Sequence, residues 1–458
     1  MVATTPQRPP GRHDELLARA LGLVEEGEAE VTLIARDSAL TRFANSRIHQ
    51  NVAERDTSLR VRIRHDGRTG VASTNRLDDE GLRAVIGRAS EICRRAAPNR
   101  ELPPLAEAET GGVESDLGWV RATAEAEPER RAEGARAIIA AADTARVEAS
   151  GAFSTEASTL MVANTSGLRS RHDTTQAKLL TVMTGEDGAS GYAQAISTDV
   201  GTIDAEALGA EAADKATRSA GASDLEPGEY EVILEEYAVA TTLEYLSLAG
   251  FSALALEEGR SFMELGTQIM GSNVSIWDDG LDPTGTPSAI DYEGVAKQRV
   301  DLITDGVASA VVHDSATARR AGLRSTGHGL PAPNTFGPIA WNLFMAPGSS
   351  AKDAMVAGMR RGIWVTRFHY VNIVHPRRGI LTGMTKDGTF LVEDGRIARP
   401  VRNLRFTQAM PEAFSQINAI AAETRLVGAE YSGINARVPA LHIGRFTFTG
   451  ATAAEQPG

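Results

Sequence analysis

Apolar residues recur three and four apart between His13 and Glu26, at Leu16, Leu17, Leu21 and Val24, which predicts an amphipathic helix. The pattern then changes period. EVTLIARDS, LTRFANSRIHQNV and DTSLRVRIRHDGRTGVAST alternate in polarity or are rich in β-branched residues, which predicts strands, with turns at Arg36-Asp37-Ser38 and His65-Asp66-Gly67. A helix from Asp78 to Ala97 closes this unit.

A second unit repeats the order: a helix from Pro128 to Ala145, strand-like VEASGAFS, TLMVANTSGLRSRHD, AKLLTVMTGED and GYAQAIST, then a helix from Asp204 to Ser219. Phe43-Ala44-Asn45-Ser46 and Val162-Ala163-Asn164-Thr165 stand at matching places, and we infer a weak internal duplication. The segment from Pro98 to Ser115 reads as a linker between units at about 13–97 and 118–220. Gly, Pro and acidic residues from Ala220 to Glu229 mark a second boundary, and one helix follows at about Ala238 to Ala249. Beyond it come short strands and Gly-rich turns, with Asp-Gly pairs at 279–280, 305–306, 387–388 and 394–395 suited to hairpins. The expected architecture is α+β: an N-terminal α/β domain over 13–222, a mostly β, barrel-like domain over 228–450, and flexible tails at 1–12 and 451–458.

At 458 residues, 42% hydrophobic and 23% charged, the chain has the composition of a multidomain globular protein. A net charge of -13 argues against a nucleic-acid partner. Lysine occurs only at 178, 215, 297, 352 and 386, which reads as compositional bias towards Arg. The single cysteine, Cys93, excludes an intrachain disulfide and a cysteine zinc cage. No apolar stretch is long enough for a signal or a membrane span, so a cytoplasmic protein is expected.

The nine histidines include no pair at helical ligand spacing with an intervening Glu, so no zinc-peptidase motif is present. His369 and His375 lie about 20 Å apart on a straight strand at roughly 3.3 Å per residue, too far to share a metal. Ser325-Thr326-Gly327-His328-Gly329 reads as a polar loop and lacks the strand-to-helix setting of a phosphate cradle. The adjacent acids Glu235 and Glu236, and Glu257 and Glu258, read as solvated charges, since neighbouring side chains diverge.

Four segments in order nevertheless resemble the TldD/PmbA metallopeptidase family, in its PmbA or TldE branch: GFSALALEEGRSFM at 250–263, STGHGL at 325–330, RGIWVTRFHYVNIVHPRRGILTGMTKDGTFLVEDGRIARPVRNLRFTQ at 361–408, and VPALHIGRFTFTG at 438–450. The resemblance implies a cytoplasmic, bacterial heterodimer whose TldD-type subunit binds zinc through a helical HExxxH motif and a C-terminal cysteine and hydrolyses flexible or modified peptides. This chain departs from that pattern. Glu244, Tyr245 and Ala249 stand where His, Glu and His would be, and the C-terminal cysteine is missing. No catalytic residue and no metal is therefore expected in this chain, with zinc in the partner subunit.

The resemblance also implies a chamber shared by the subunits, in which a substrate peptide lies extended. Arg367, His369, Tyr370 and Asn372, with His328 and the Thr382-Gly383-Met384-Thr385 turn, are the candidates to face that chamber or the subunit interface. Two other readings stay open: a metal-independent or unusual-metal hydrolase acting alone through His369, His375 or Glu244, and a stand-alone peptide-binding or scaffold protein.

Overall fold

The computed structural model describes residues 12–99, 102–107, 112–429 and 432–451. The expected tails, apart from Arg12 and Ala451, and parts of the expected linker lie outside the described residues.

The first unit runs α1 (Arg12–Gly22), β1 (Glu28–Ala44), β2 (Arg47–His65), β3 (Arg68–Thr74) and α2 (Asp79–Arg95). The second runs β4 (Glu114–Ser115), α3 (Arg121–Ala124), α4 (Pro128–Ala145), β5 (Glu148–Asn164), β6 (Arg169–Thr184), β7 (Ser190–Ser197) and α5 (Ala205–Arg218). All seven strands form one sheet in which β1 and β5 lie antiparallel at the centre, with β2 and β3 on one side and β6, β4 and β7 on the other.

Alternation sets the faces. In β2, Leu59, Val61 and Ile63 are buried while Arg60, Arg62 and Arg64 point the other way. The turn expected at Arg36-Asp37-Ser38 does not exist, because β1 is continuous through it and the chain reverses at Asn45 and Ser46, both at positive φ. The reason is that β1 spans two cores. Val31 and Leu33 pack with α1 and α2, whereas Phe43 packs with Ile138 of α4 and Leu208 of α5. The polar middle crosses the seam between the cores, where Asp37 pairs with Arg55 of β2. β5 reciprocates, sending Met161 and Ala163 into the first core and Phe153 into the second.

The remaining residues form β8 (Gly228–Leu234), α6 (Glu236–Gly250), α7 (Ala253–Glu257), β9 (Ile276–Asp278), β10 (Val300–Thr304), β11 (Val307–Ala308), α8 (Ser315–Ala321), β12 (Asn342–Met345) and α9 (Lys352–Ala357). They continue through β13 (Arg361–His375), β14 (Ile380–Glu393), β15 (Arg396–Pro400), β16 (Leu404–Ala409), α10 (Met410–Phe414), β17 (Ile417–Val427) and β18 (Asn435–Ala451). The sheet closes: β8, β13, β14, β16 and β18 form a ring, since β18 pairs with both β16 and β8. The expected barrel-like domain is thus a closed barrel, extended by β12, β9, β10 and β11.

Twelve of the fifteen residues of α6 are buried, which makes it a core helix, and Leu243 and Leu246 share one core with Phe368, Phe406 and Phe446 of the barrel. The Asp-Gly pairs at 305–306 and 394–395 form the expected hairpins, with both residues of each pair at positive φ. The pair at 279–280 follows β9 without joining two paired strands. The pair at 387–388 sits inside β14, where both residues oppose Thr366 alone and make a bulge. Thr382 to Thr385, expected as a turn, is also part of β14.

Candidate functional site

Helix α6 starts from a largely buried polar cluster. Glu235 and Glu236, expected in solvent, are both buried. Lys215 Nζ donates to Glu235 Oε2 at 2.7 Å, Trp364 Nε1 donates to the same carboxylate, and Lys352 Nζ donates to Glu236 Oε1 at 3.0 Å. The acids diverge, as adjacent positions require, but each meets its own cation, buried Lys215 or partly exposed Lys352, instead of solvent.

At the next residue, the Tyr237 hydroxyl donates to Glu211 Oε1 at 3.1 Å, accepts from Gln194 N at 3.1 Å and receives Arg425. Burial, then the neighbouring Glu211 charge, holds the Tyr237 phenol well above its ordinary pKa. Burial opposes the charge on Lys215, yet Glu235 and Glu211 outweigh it and raise its pKa. Both groups stay in their ordinary states across neutral pH, so the cluster is a structural ion network and offers no poised proton donor.

Glu244, expected at the place of a family zinc histidine, lies two turns into α6; it is buried and lines a cavity of about 30 Å³ beside Thr241, Tyr237 and Arg367. That space holds a water or two and excludes a peptide. Tyr245 is partly buried against the barrel core and Ala249 is fully buried. Alanine has no donor, a lone carboxylate cannot hold zinc, and among the described residues no three His, Cys, Asp or Glu side chains gather as a ligand set. The residues present do not fit a zinc site.

The chamber candidates separate into two groups. Arg367, His328 and Thr385 are buried within the chain. The guanidinium of Arg367 donates to Asp387 Oδ2 at 2.6 Å and lies 4.5 Å over the Tyr192 ring, so it ties the barrel to the first sheet. The bulge at Asp387-Gly388 makes that possible by turning Asp387 inward, where it also accepts from Ser190 Oγ at 2.7 Å. Thr385 Oγ1 accepts from Leu404 N at 2.9 Å, and half-buried Thr382 donates to Phe406 O at 2.8 Å; both stitch β14 to β16.

His328 does not face a chamber. It is fully enclosed, with Nε2 2.8 Å from Asp278 Oδ1 and Nδ1 2.9 Å from Thr326 Oγ1. Burial and then the Lys297 charge lower its pKa.

The surface group lies at the far end of β13. His369 pairs with Met384 and Asn372 with Thr382, so Tyr370 and Val371 together oppose Gly383 alone. This second bulge ejects Tyr370, whose φ of 50° is rare for an aromatic residue and whose side chain is 73% exposed. The His369 ring lies tilted against it with ring centroids 4.2 Å apart, and Asn372, Val374 and His375 continue the exposed face. His369 and His375 do not converge on a common ligand set with any acid.

Sequence reasoning missed both buried networks. The signal available was the scarcity of lysine: of five lysines, Lys215, Lys297 and Lys352 each hold a buried carboxylate, and Lys178 Nζ donates to Ala429 O at 2.7 Å.

The description "PmbA/TldA metallopeptidase C-terminal domain" matches residues 227–450, and "PmbA/TldA metallopeptidase domain 1" matches residues 29–93. The chain belongs to the PmbA/TldD metallopeptidase family. It is 24% identical to the metalloprotease PmbA of Escherichia coli O157:H7 over 88% of each chain. It is 27% identical to a metalloprotease of Methanothermobacter thermautotrophicus over 49% of each chain, so the matched stretch spans about half of that relative's length. The crystal structure of TldE from Thermococcus kodakarensis superposes with a TM-score of 0.85 at 19% identity, covering 96% of this chain and all of that one. No described helix is long and apolar enough to cross a membrane.

Proposed function

We propose that this chain is the non-catalytic subunit of a two-subunit, cytoplasmic zinc metallopeptidase, and that its partner is a TldD-type chain that carries the zinc and hydrolyses flexible or modified peptides. The observation that carries this reading is the state of α6. At the three positions that we match to the family's ligand motif, this chain has a buried carboxylate that lines a cavity too small for a peptide, a tyrosine packed on the barrel and a buried alanine.

The role left to the chain is to complete its partner. The bulged end of β13 supports this, because Tyr370 and Val374 expose apolar surface beside the hydrogen-bonding groups of His369 and Asn372. Such mixed aromatic and polar faces are typical of protein contacts. A peptide held extended along a strand edge would bind through main-chain hydrogen bonds, with little demand on its side chains.

Sedimentation of this chain with a TldD-type subunit tests the partnership. A 1:1 complex is expected; two independently sedimenting species would refute it.

A further inference from the structure

A cleft of about 910 Å³ opens between the first sheet, the linker and the barrel domain, away from α6. Its size is that of a small-molecule site. One wall is apolar, built from Leu102, Pro103, Leu105 and Val295, with exposed Leu323 at the end of α8. Arg64, Arg319 and Arg324, with Glu28 and Glu107, contribute to the rest of the lining.

Arg64 is the telling residue. Its side chain is 13% exposed, its nearest acid is Glu28 at 3.7 Å, and its Nε is buried without a hydrogen-bond partner. The Nε of its neighbour Arg62 is likewise without a hydrogen-bond partner, but a terminal nitrogen of Arg62 donates to Glu30 Oε2 at 2.6 Å, a close contact Arg64 lacks. Burial, then the Arg62 charge, lowers the pKa of Arg64 against the opposing pull of Glu28 and Glu30, so its cation is only partly compensated. Arg319 is fixed in place through its donation to Leu102 O at 3.0 Å, while Arg324 stands exposed at the lip.

We propose that this cleft binds a carboxylate carried on a small apolar body, with Arg64 receiving the carboxylate and the linker wall covering the apolar part. A guanidinium presents paired donors that match a carboxylate in the plane. The apolar wall selects against small inorganic anions, which would leave it wetted. Two sources carry such a group: the C-terminus of a short apolar peptide and a medium-chain fatty acid. The site lies in this chain alone, so it stands whether or not the partnership above is correct.

Titration calorimetry of the full chain with N-acetyl-leucyl-leucine, its carboxamide, octanoate and octanamide tests the proposal. At least one acid should bind about 10-fold or more tightly than its amide, as a charge-assisted contact requires. The arm that shows this preference identifies the source. Arg64→Gln should abolish the preference while the melting temperature stays near that of the parent. If R64Q fails to fold, Arg324→Gln at the exposed lip should reduce the acid preference by about 3-fold, a screened contact's share. Equal binding of acid and amide, no acid binding up to about 10 mM, or an acid preference retained in the folded variant would overturn the proposal.

Discussion

His328 Nε2 stands 2.8 Å from Asp278 Oδ1 with both side chains completely buried. The same carboxylate accepts from Asn342 N at 2.7 Å and has Lys297 Nζ at 3.5 Å. Burial would raise the pKa of Asp278, but Lys297 and His328 outweigh it, so the carboxylate is held below its ordinary value and stays ionised. Removing one partner of a buried ion leaves the rest undercompensated. His328→Ala should therefore destabilise the chain by about 3 kcal/mol in urea unfolding, without altering complex formation with a partner. A loss below about 0.5 kcal/mol would mean the contact contributes little.

Nearby Asp291 gives a pH dependence. Burial, then the Glu293 charge, raises its pKa to about 8, against the hydrogen bonds from Gly329, Val295 and Glu293 backbone N–H groups. The folded chain favours the neutral acid. Its contribution is complete below about pH 4, where the unfolded chain's Asp is protonated as well, and is lost as pH rises through the folded value. Stability should decline between those limits by up to roughly 1 kcal/mol per pH unit on account of this group. Urea midpoints measured from pH 4 to 9 should show a shallower decline in Asp291→Asn than in the parent; parallel profiles would contradict the assignment.

Two glycines make matching close approaches in the two halves of the first sheet. A Cβ on Gly70 of β3 would lie 2.0 Å from Ala89 O and 2.4 Å from Cys93 N of α2, and one on Gly191 of β7 would lie 2.1 Å from Ala212 O and 2.4 Å from Ala216 N of α5. Each obstacle is backbone, which cannot step aside as a side chain can. Gly70→Ala and Gly191→Ala should each cost about 2–4 kcal/mol by forcing helix and strand apart, and thermal melting would register both. Wild-type melting in either variant would show that the contact yields.

Tyr370 and Val374 contribute little to the fold, since both are mostly exposed. The double variant Tyr370→Ala, Val374→Ala should keep the melting temperature within about 2 °C and weaken a complex with a TldD-type subunit by at least 10-fold, about 1.4 kcal/mol. Surface plasmon resonance on the paired chains would read this directly, and unchanged affinity would move the interface elsewhere.

Much of the fold was legible because period and turn chemistry are local properties. The β2 alternation and the Asp66-Gly67 turn follow from residues within a few positions of each other. Errors arose where a distant partner decides. Arg36-Asp37-Ser38 looks like a turn until β1 is seen to cross two cores, and Asp387-Gly388 looks like a hairpin until its register against Thr366 shows a bulge. Glu235 and Glu236 look solvated because Lys215, Lys352 and Trp364 are separated from them by 20 to more than 100 residues. His328 looked like a site residue for the same reason: its polar partner, Asp278, is 50 positions away. The exposed candidates Tyr370 and Asn372 were legible as residue types, but the bulge that presents Tyr370 is a property of pairing between β13 and β14.

We propose that the chain completes a zinc-bearing partner and cuts nothing alone. The most direct measurement is cleavage of an unfolded peptide by this chain, by a TldD-type subunit and by their mixture, with zinc determined in each purified species. Cleavage by the mixture only, with zinc confined to the partner, is the predicted result; stoichiometric metal in this chain together with cleavage by it alone would contradict the account.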